Sequence, residues 1–374
     1  MKKVGITGQS GFIGTHLANT IRLLPDEFKL IPFEKEWFKN EKALASFVAE
    51  CDCIVHLAAV NRHGDPQVIY DTNVELVESL IDALETSGTA PQIIFSSSSQ
   101  EEKDNLYGKS KRDGRRKLAA WAEKHSAIFN GLIIPNVFGP FGDPYYNSVV
   151  ATFSHQLTHG KTPQIHQDSM MNLIYVGELV EEMLDRIRSP ERSEAEYSQV
   201  NHTSECKVSE LLAHLRRFKA NYAEKGVIPE LKDTFELNLF NTFRSYLDHK
   251  EHFPVKYTLH SDSRGSFVET IRLNSGGQVS FSTTVPGITR GNHFHTRKIE
   301  RFAVIKGEAR IDMRRIGTNE VLSFRVSGEK PGYVDMPIWY THNITNTGEN
   351  ELYTIFWINE FYDPEDSDTY PIEV

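Results

Sequence analysis

Residues 4–24 read VGITGQSGFIGTHLANTIRLL, in which a short apolar strand, a glycine-rich turn and a helical pattern follow one another directly. The turn carries Gly8, Gly11 and Gly14. Glycines between a strand and a helix let backbone N–H groups approach a pyrophosphate at the positive end of the helix. The stretch therefore predicts a dinucleotide-binding unit, with these three glycines in contact with the cofactor.

Further strands and helices alternate after this turn. The second strand, FKLIPF, ends at Glu34, which could bind a ribose hydroxyl, and at Lys35, which could accept a 2′-phosphate. A buried-strand pattern, DCIVHLAA, ends in Ala58 and Ala59, where the backbone can pass close to a flat ligand. The helical stretch NVELVESLIDALETSG and another strand, QIIFSSSS, follow. This alternation predicts an α/β fold with a doubly wound parallel sheet and ligands at the carboxyl ends of its strands.

Tyr107 and Lys111 stand four residues apart in YGKSK, after the strand QIIFSSSS. At this spacing they share one helix face, so the ammonium can lower the pKa of the phenol and help to place a ribose. The same spacing is common at the start of amphipathic helices. Its position after the glycine turn and the serine-rich strand favours the catalytic interpretation.

The order of these motifs resembles that of the extended short-chain dehydrogenase/reductases. The resemblance implies that Tyr107 is the general acid, Lys111 its electrostatic partner and Ser98 a hydrogen-bond donor to the substrate oxygen. Related 4,6-dehydratases carry an Asp-Glu pair where this chain has Ser99 and Gln100. The difference favours carbonyl reduction over dehydration.

The segment LIIPNVFGP, which contains Asn136, is similar to the part of these enzymes that binds a nucleotide-sugar. The resemblance therefore implies that Asn136 contacts the substrate.

A second group of candidate residues lies in residues 287–307, GITRGNHFHTRKIERFAVIKG. His293 and His295 are two residues apart, so in a strand they point to the same face. Glu300 begins the next predicted strand, and His342 follows in PIWYTHNITN. The His-x-His pair alone is more often a surface pair. Together, three imidazoles and one carboxylate suit Zn, Fe, Ni or Mn, and they predict a metal site.

The spacing of Gly287, Gly307, Pro337 and Asn346 around these candidate ligands resembles the two motifs of the cupin superfamily, which are small β-barrels. One departure is Trp339, which stands where the second motif has a glycine. From residue 255 onward, short alternating strands and turns predict a β-sandwich or barrel, and the resemblance implies an all-β cupin barrel.

Over nearly its full length the chain resembles the bifunctional capsular-polysaccharide enzymes of the CapF type, a reductase fused to a C-terminal cupin epimerase. GITGQSGFIG, HLAAVNR, DNLYGKSK, DSRGSFVE and GNHFHTRKIERF carry the likeness. The resemblance implies a UDP-linked 2-acetamido-2,6-dideoxy-hexos-4-ulose as substrate, on the route to UDP-N-acetyl-L-fucosamine. It further implies NADPH rather than NADH as reductant, a zinc ion, and a homodimer or higher homo-oligomer.

These features lead to the hypothesis that the cupin epimerises C3 of the 4-keto sugar and that the reductase then reduces the C4 ketone. Tyr340 and Lys298 are the candidates for proton transfer in the cupin. The alternatives are a nucleotide-sugar epimerase joined to a metal-dependent cupin oxygenase, since His-x-His with a carboxylate also suits Fe(II), and a non-catalytic sugar or redox sensor.

The length of 374 residues predicts two domains, which we set at 1–248 for the reductase and 249–374 for the cupin. The formal net charge of −10 argues against a general nucleic-acid or anionic-membrane surface. The sequence contains no apolar run long enough to cross a bilayer. With only three cysteines, the composition is typical of a reducing cytoplasm.

Overall fold

The structure, a computed structural model, describes residues 1–190 and 197–374. These residues divide into two compact units. The second unit contains Val150–Gln167 and Ser209–Val374, and the first contains the remaining described residues. Residues 150–167 and 209–248 therefore belong to the second unit. The domain boundary predicted from the sequence had placed them with the reductase.

Helices and strands alternate in the first unit, whereas strands dominate the second. The helices are α1 Phe12–Arg22, α2 Glu41–Glu50, α3 Pro66–Ser87, α4 Leu106–Lys124, α5 Val149–Thr158, α6 Val176–Arg188, α7 Val208–Phe218, α8 Thr234–Arg244 and α9 His249–His252. The strands are β1 Lys2–Thr7, β2 Phe28–Ile31, β3 Cys53–His56, β4 Gln92–Ser98, β5 Phe129–Ile134, β6 Asn136–Phe138, β7 Met170–Tyr175, β8 Ser198–Gln199, β9 Ser204–Lys207, β10 Val255–Lys256, β11 His260–Asp262, β12 Gly265–Phe267, β13 Gln278–Thr284, β14 Thr289–Phe294, β15 Glu300–Lys306, β16 Glu308–Arg315, β17 Val321–Ser327, β18 Gly332–Met336, β19 Tyr340–Asn346, β20 Leu352–Ile358 and β21 Tyr370–Pro371.

The first unit is built on a parallel sheet with strand order β2-β1-β3-β4-β5-β8. On one face, α1 and α6 bury Leu17 and Met183 against strand residues that include Ile6. On the other face, α2, α3 and α4 bury residues such as Leu80 and Trp121. Because both faces are covered, the strands are apolar along nearly their whole length. The predicted doubly wound sheet is confirmed.

The second unit contains two antiparallel five-stranded sheets, ordered β10-β18-β15-β20-β13 and β17-β16-β19-β14-β21. Their facing sides share one core, in which Val334 and Leu352 from the first sheet pack with Ile311 and Ile344 from the second. This arrangement confirms the prediction of an all-β fold after residue 255.

Helix α8 is attached to this β region by buried polar contacts. The Arg244 guanidinium donates to the carbonyl oxygen of Met336 at 3.0 Å, and the Asn241 side chain donates to the carbonyl oxygen of Arg297 at 3.0 Å. These contacts link residues 209–248 to the β region. Among the described residues, no helix has the length and hydropathy needed to span a bilayer.

A buried ion pair joins β15 to β18. The Arg301 guanidinium meets Asp335 through two hydrogen bonds of 2.7 and 2.9 Å, and both side chains are buried. Arg301 also donates to the carbonyl oxygen of Gly226 at 2.8 Å and lies 3.7 Å from the ring centroid of Tyr333.

We expect Asp335→Asn to lower the free energy of unfolding by about 3–5 kcal/mol, because it leaves the Arg301 charge buried without its partner. Urea denaturation measures this change. The control is Asp262→Asn, which breaks the exposed pair with Arg264 and should leave the denaturation midpoint unchanged. Equal midpoints for the two variants would contradict the prediction.

Candidate active site and metal centre

The glycine turn after β1 packs against the end of β3. Gly8 has a φ of +76°, and a Cβ atom there would lie 2.8 Å from the amide nitrogen of Ala58. A Cβ atom on Gly14 would lie 2.2 Å from the carbonyl oxygen of Gly8. Only glycine fits such approaches. The structure thus brings together two of the predicted glycines and Ala58, which precedes Ala59 in the same loop.

Helix α1 starts beside this turn. Its N-cap residue is Gly11, which has no side chain that could make a capping hydrogen bond. The N–H groups of the first helical turn are therefore available to an anion, and the helix dipole favours negative charge there. The residues present fit the diphosphate of a dinucleotide. Glu34 and Lys35 follow β2 and are both exposed. Glu34 is thus accessible to a ribose hydroxyl and Lys35 to a 2′-phosphate.

Helix α4 holds Tyr107 beside the end of β4. Asn105 caps the helix by accepting a hydrogen bond from the N–H of Gly108 at 2.7 Å. A Cβ atom on Gly108 would lie 2.0 Å from the carbonyl oxygen of Gln100, so only glycine allows this close packing. In this arrangement the Tyr107 phenol lies beside the side chain of Ser98, which influences its pKa.

Burial dominates the electrostatics of this site. It raises the pKa of Tyr107, although the hydrogen bond with Ser98 opposes the shift, so the expected lowering of this phenol's pKa is not found. Burial lowers the pKa of Lys111 to about 8. Its ammonium lies 4.7 Å from the ring centroid of Phe95. Burial and the charge of Lys111 also lower the pKa of His56 to about 3, so this imidazole is neutral at neutral pH.

A buried ion pair supports the helix that carries Tyr107. Glu101 meets the Arg115 guanidinium at 2.9 and 3.0 Å and accepts a hydrogen bond from the Ser97 hydroxyl. The negative charge of Glu101 raises the pKa of Lys111, in opposition to burial. This pair was not predicted from the sequence, since nothing in the local pattern distinguishes Glu101 from its exposed neighbour Glu102.

Asn73 is a further residue whose role was not predicted from the sequence. It is buried, exchanges hydrogen bonds of 2.7 and 2.9 Å with the backbone of Val60, and donates to the Ser110 hydroxyl at 3.0 Å. It therefore joins the loop after β3 to the helix of Tyr107. Asn136 is exposed at the start of β6 and donates to the carbonyl oxygen of Asn172 at 3.3 Å.

We expect kcat/KM for the reduced dinucleotide to fall as the pH rises through about 8, because Lys111 then loses its proton and the ammonium is the form expected to bind a ribose. The titratable groups whose charge couples to it are Glu101 and His56. Glu101→Gln should move the fall to lower pH, since it removes the charge that stabilises the ammonium.

A pH profile of the full chain tests this prediction. The control is Glu102→Gln, which changes an exposed carboxylate one residue away. Identical profiles for the two variants would contradict the assigned influence of Glu101 on Lys111.

The predicted metal ligands of the second unit converge in space. His293 on β14 lies directly opposite His342 on β19. A β-bulge at Gly291 and Asn292 precedes His293, and a Cβ atom on Gly291 would lie 2.9 Å from the carbonyl oxygen of His342. Bulges of this kind re-aim side chains. Glu300 comes from the facing sheet, at the start of β15.

Distances within the cluster are short. The Oε2 atom of Glu300 lies 3.0 Å from Nε2 of His342, 3.1 Å from Nε2 of His295 and 3.8 Å from Nε2 of His293. One potential ligand atom from each residue lies within 4.8 Å of all the others. Burial would raise the pKa of Glu300, but the three adjacent imidazoles hold it well below its usual range.

Backbone carbonyl groups orient two of these imidazoles. The Nδ1 atom of His295 lies 2.6 Å from the carbonyl oxygen of Asp368, and Nδ1 of His342 lies 3.1 Å from that of Tyr340. Donation from Nδ1 leaves Nε2 with a lone pair for a metal. Nε2 of His295 is buried and has no hydrogen-bond partner. The donor set and this unpaired nitrogen fit a divalent transition metal.

Trp339 keeps the turn before His342 in the conformation that glycine would adopt. Its φ is +62°, and its N–H donates to the carbonyl oxygen of His295 at 2.7 Å. Its ring packs 5.5 Å from that of Phe294. A left-handed conformation costs a residue other than glycine roughly 1–2 kcal/mol, which the packing and hydrogen bond offset. Although Trp339 stands where the cupin motif has a glycine, the turn is retained and His342 lies in the cluster.

The two proton-transfer candidates of the second unit are committed to other contacts. Lys298 is buried, and its ammonium donates to the carbonyl oxygen of Ser367 at 2.8 Å and lies 3.3 Å from Glu360. The Tyr340 ring packs edge-on against His249 at 5.4 Å. Both arrangements favour structural roles for these residues.

The fold and the sites define a class of protein, a short-chain dehydrogenase/reductase joined to an all-β unit with a histidine–glutamate cluster. The family described as NAD dependent epimerase/dehydratase matches residues 4–200, and the polysaccharide biosynthesis C-terminal domain matches residues 260–370. A UDP-2-acetamido-2,6-beta-L-arabino-hexul-4-ose reductase from Pseudomonas aeruginosa is 34% identical over 373 residues, covering 100% of this chain and 99% of the relative.

Solved structures agree with this relationship. The capsular polysaccharide assembling protein CapF from Staphylococcus aureus is 34% identical with a TM-score of 0.63, and all of both chains is covered. A Thermus thermophilus UDP-glucose 4-epimerase in complex with NAD is 17% identical with a TM-score of 0.54, covering 65% of this chain and 98% of that one. The latter shows a shared fold only. The chain belongs to the CapF family of capsular-polysaccharide biosynthesis enzymes.

Membership of this family confirms that the chain is an enzyme with a nicotinamide-dependent reductase unit. The alternative of a non-catalytic sensor is not supported.

Proposed function

We propose that the chain carries out two consecutive steps on a UDP-linked 2-acetamido-2,6-dideoxy-hexos-4-ulose. The β unit, as a cupin, inverts C3, and the reductase unit then reduces the C4 ketone with NADPH. The observation that carries the proposal is the Tyr107 phenol beside Ser98, one helical turn before the buried Lys111. The arabino-hexulose named in the P. aeruginosa relative supports the choice of substrate.

In the reduction step, Tyr107 holds the proton that the C4 oxygen requires, and Ser98 orients that oxygen by a hydrogen bond. The raised pKa of Tyr107 keeps the phenol protonated until it reacts. Lys111 binds the ribose, Gly8, Gly11 and Gly14 contact the diphosphate, and Ala58 and Ala59 line the flat part of the cofactor. Lys35 meets the 2′-phosphate, and Asn136 contacts the sugar nucleotide. NADPH supplies the hydride when bound.

For the β unit, we propose that His293, His295, Glu300 and His342 hold a zinc ion or another divalent transition metal. Such an ion organises the pocket or polarises the ketone when bound. The C3 proton is acidified by the adjacent C4 carbonyl, so its removal and return on the opposite face invert the centre. His293 is the most exposed of the three imidazoles, which supports an approach of the sugar from its side.

Incubation of the protein with a UDP-4-keto-6-deoxy-HexNAc and NADPH in heavy water tests both steps. We expect NMR to show a reduced product with deuterium at C3. Reduction without deuterium at C3 would overturn the epimerase assignment and leave the reductase. Oxygen consumption by the metal-loaded protein would instead favour the oxygenase alternative. Light scattering tests the proposed homodimer or higher assembly.

A further inference from the structure

The C-terminal segment returns to the turn that follows β14. There the Asp368 carboxylate accepts four hydrogen bonds, from Thr296 N–H at 3.0 Å, the Thr296 hydroxyl at 2.7 Å, Arg297 N–H at 3.0 Å and Lys298 N–H at 2.9 Å. Asp368 is 5% exposed, so these contacts are shielded from water. One carboxylate thus determines the path of three consecutive residues directly after His295.

The same residue also orients the His295 ring. Its carbonyl oxygen lies 2.6 Å from Nδ1 of His295, which directs Nε2 towards Glu300. Asp368 has a φ of +41°, a conformation that is costly for aspartate and persists only where the surroundings enforce it. The side chain and the carbonyl group are therefore both committed to the turn that carries this imidazole.

Other contacts hold the segment in place around Asp368. Arg297 meets Asp366 at 2.8 Å and Glu360 at 3.1 Å. The Lys298 ammonium is buried against the carbonyl oxygen of Ser367. Asp366 is itself largely exposed, with 68% of its side-chain surface accessible, so its ion pair is expected to contribute little.

We propose that Asp368 is a positioning residue of the metal centre, which holds His295 in the orientation needed for coordination and makes the C-terminal segment 359–368 part of that centre. The inference rests on the proposed metal-binding role of the cluster. Partners of this kind fix the tautomer and ring direction of a ligand, and their loss typically lowers metal affinity by about 10- to 100-fold.

Asp368→Asn tests the proposal because it keeps the size of the side chain and the carbonyl group. The amide nitrogen cannot accept hydrogen bonds from buried N–H groups. We expect the dissociation constant of the full-length protein for Zn²⁺, measured by chelator competition, to rise by about 10- to 100-fold. The matched control is Asp366→Asn, which makes the same charge change two residues away and should leave Zn²⁺ affinity unchanged.

The apo melting temperature separates positioning from general stability. A positioning role predicts that Asp368→Asn reduces the stabilisation by Zn²⁺ more than it reduces the apo melting temperature. If this variant does not fold, Thr296→Val provides a milder test, since it removes one of the four hydrogen bonds and should weaken Zn²⁺ binding about two- to fivefold.

The outcomes distinguish the inference from the proposed function. Failure of the wild-type protein to bind Zn²⁺ would overturn the metal centre itself. Zn²⁺ binding by the wild type with equal affinity in Asp368→Asn, or in Thr296→Val where only that variant folds, would overturn the role of Asp368 alone.

Discussion

Tyr107→Phe is expected to lower the rate of ketone reduction by about 100- to 10,000-fold, the range that general acid catalysis supplies. Phenylalanine keeps the ring in its half-buried position but removes the proton that the C4 oxygen needs. The hydroxyl lost is the one that lies beside Ser98. The measurement is NADPH oxidation with a UDP-4-keto sugar, alongside the dissociation constant for NADPH.

NADPH binding should change little in Tyr107→Phe, because Lys111 and the glycine turn remain. The control is Tyr70→Phe, whose hydroxyl donates to Asp113 at 2.9 Å on the neighbouring helices; its reduction rate should match the wild type. A Tyr107→Phe enzyme that retains more than about a tenth of the wild-type rate would fall outside the expected range and remove the phenol from the role of acid.

Glu300→Gln is expected to weaken Zn²⁺ binding by at least about 100-fold, more than the loss of an outer partner costs. It removes the only carboxylate of the cluster, which lies within 3.8 Å of Nε2 in all three histidines. A neutral amide supplies no charge to balance a divalent ion. Metal content and chelator competition measure the effect.

Deuterium incorporation at C3 should be lost in the same variant, whereas reduction of an already epimerised 4-keto sugar by NADPH should continue. Exchange at C3 and ketone reduction should respond differently to this variant because Tyr107 and Lys111 belong to a different unit of the chain from Glu300. The control is Glu308→Gln, which changes an exposed carboxylate at the start of β16. Full exchange at C3 by metal-free Glu300→Gln protein would separate the epimerase activity from the metal.

Short sequence patterns were sufficient to predict both folds and the positions of most candidate residues. Gly8 and Gly14 are constrained by contacts within a few residues of the turn or with the adjacent strand, so the need for glycine is visible locally. His293 and His295 share a face because of strand periodicity alone. That these residues hold a cofactor and a metal stays a proposal.

The residues that were missed act through contacts between distant parts of the chain. Asp368 reaches His295 across 73 positions, and Asn73 reaches Ser110 across 37. Arg115 lies 14 positions from Glu101, and no spacing rule marks an ion pair between a helix and a preceding turn. Trp339 also departs from the expected glycine, and only its contacts with Phe294 and His295 explain why the turn is retained.

The amino-acid sequence by itself determined the strand-turn-helix unit around Gly8, the pairing of Tyr107 with Lys111 on one helix face and the alternation that aims His293 and His295 together. Each depends on backbone geometry that repeats over two to four residues. Only the tertiary structure decided the pKa of Lys111 and the orientation of His295, because burial and the partners Glu101 and Asp368 exist only once the chain has folded.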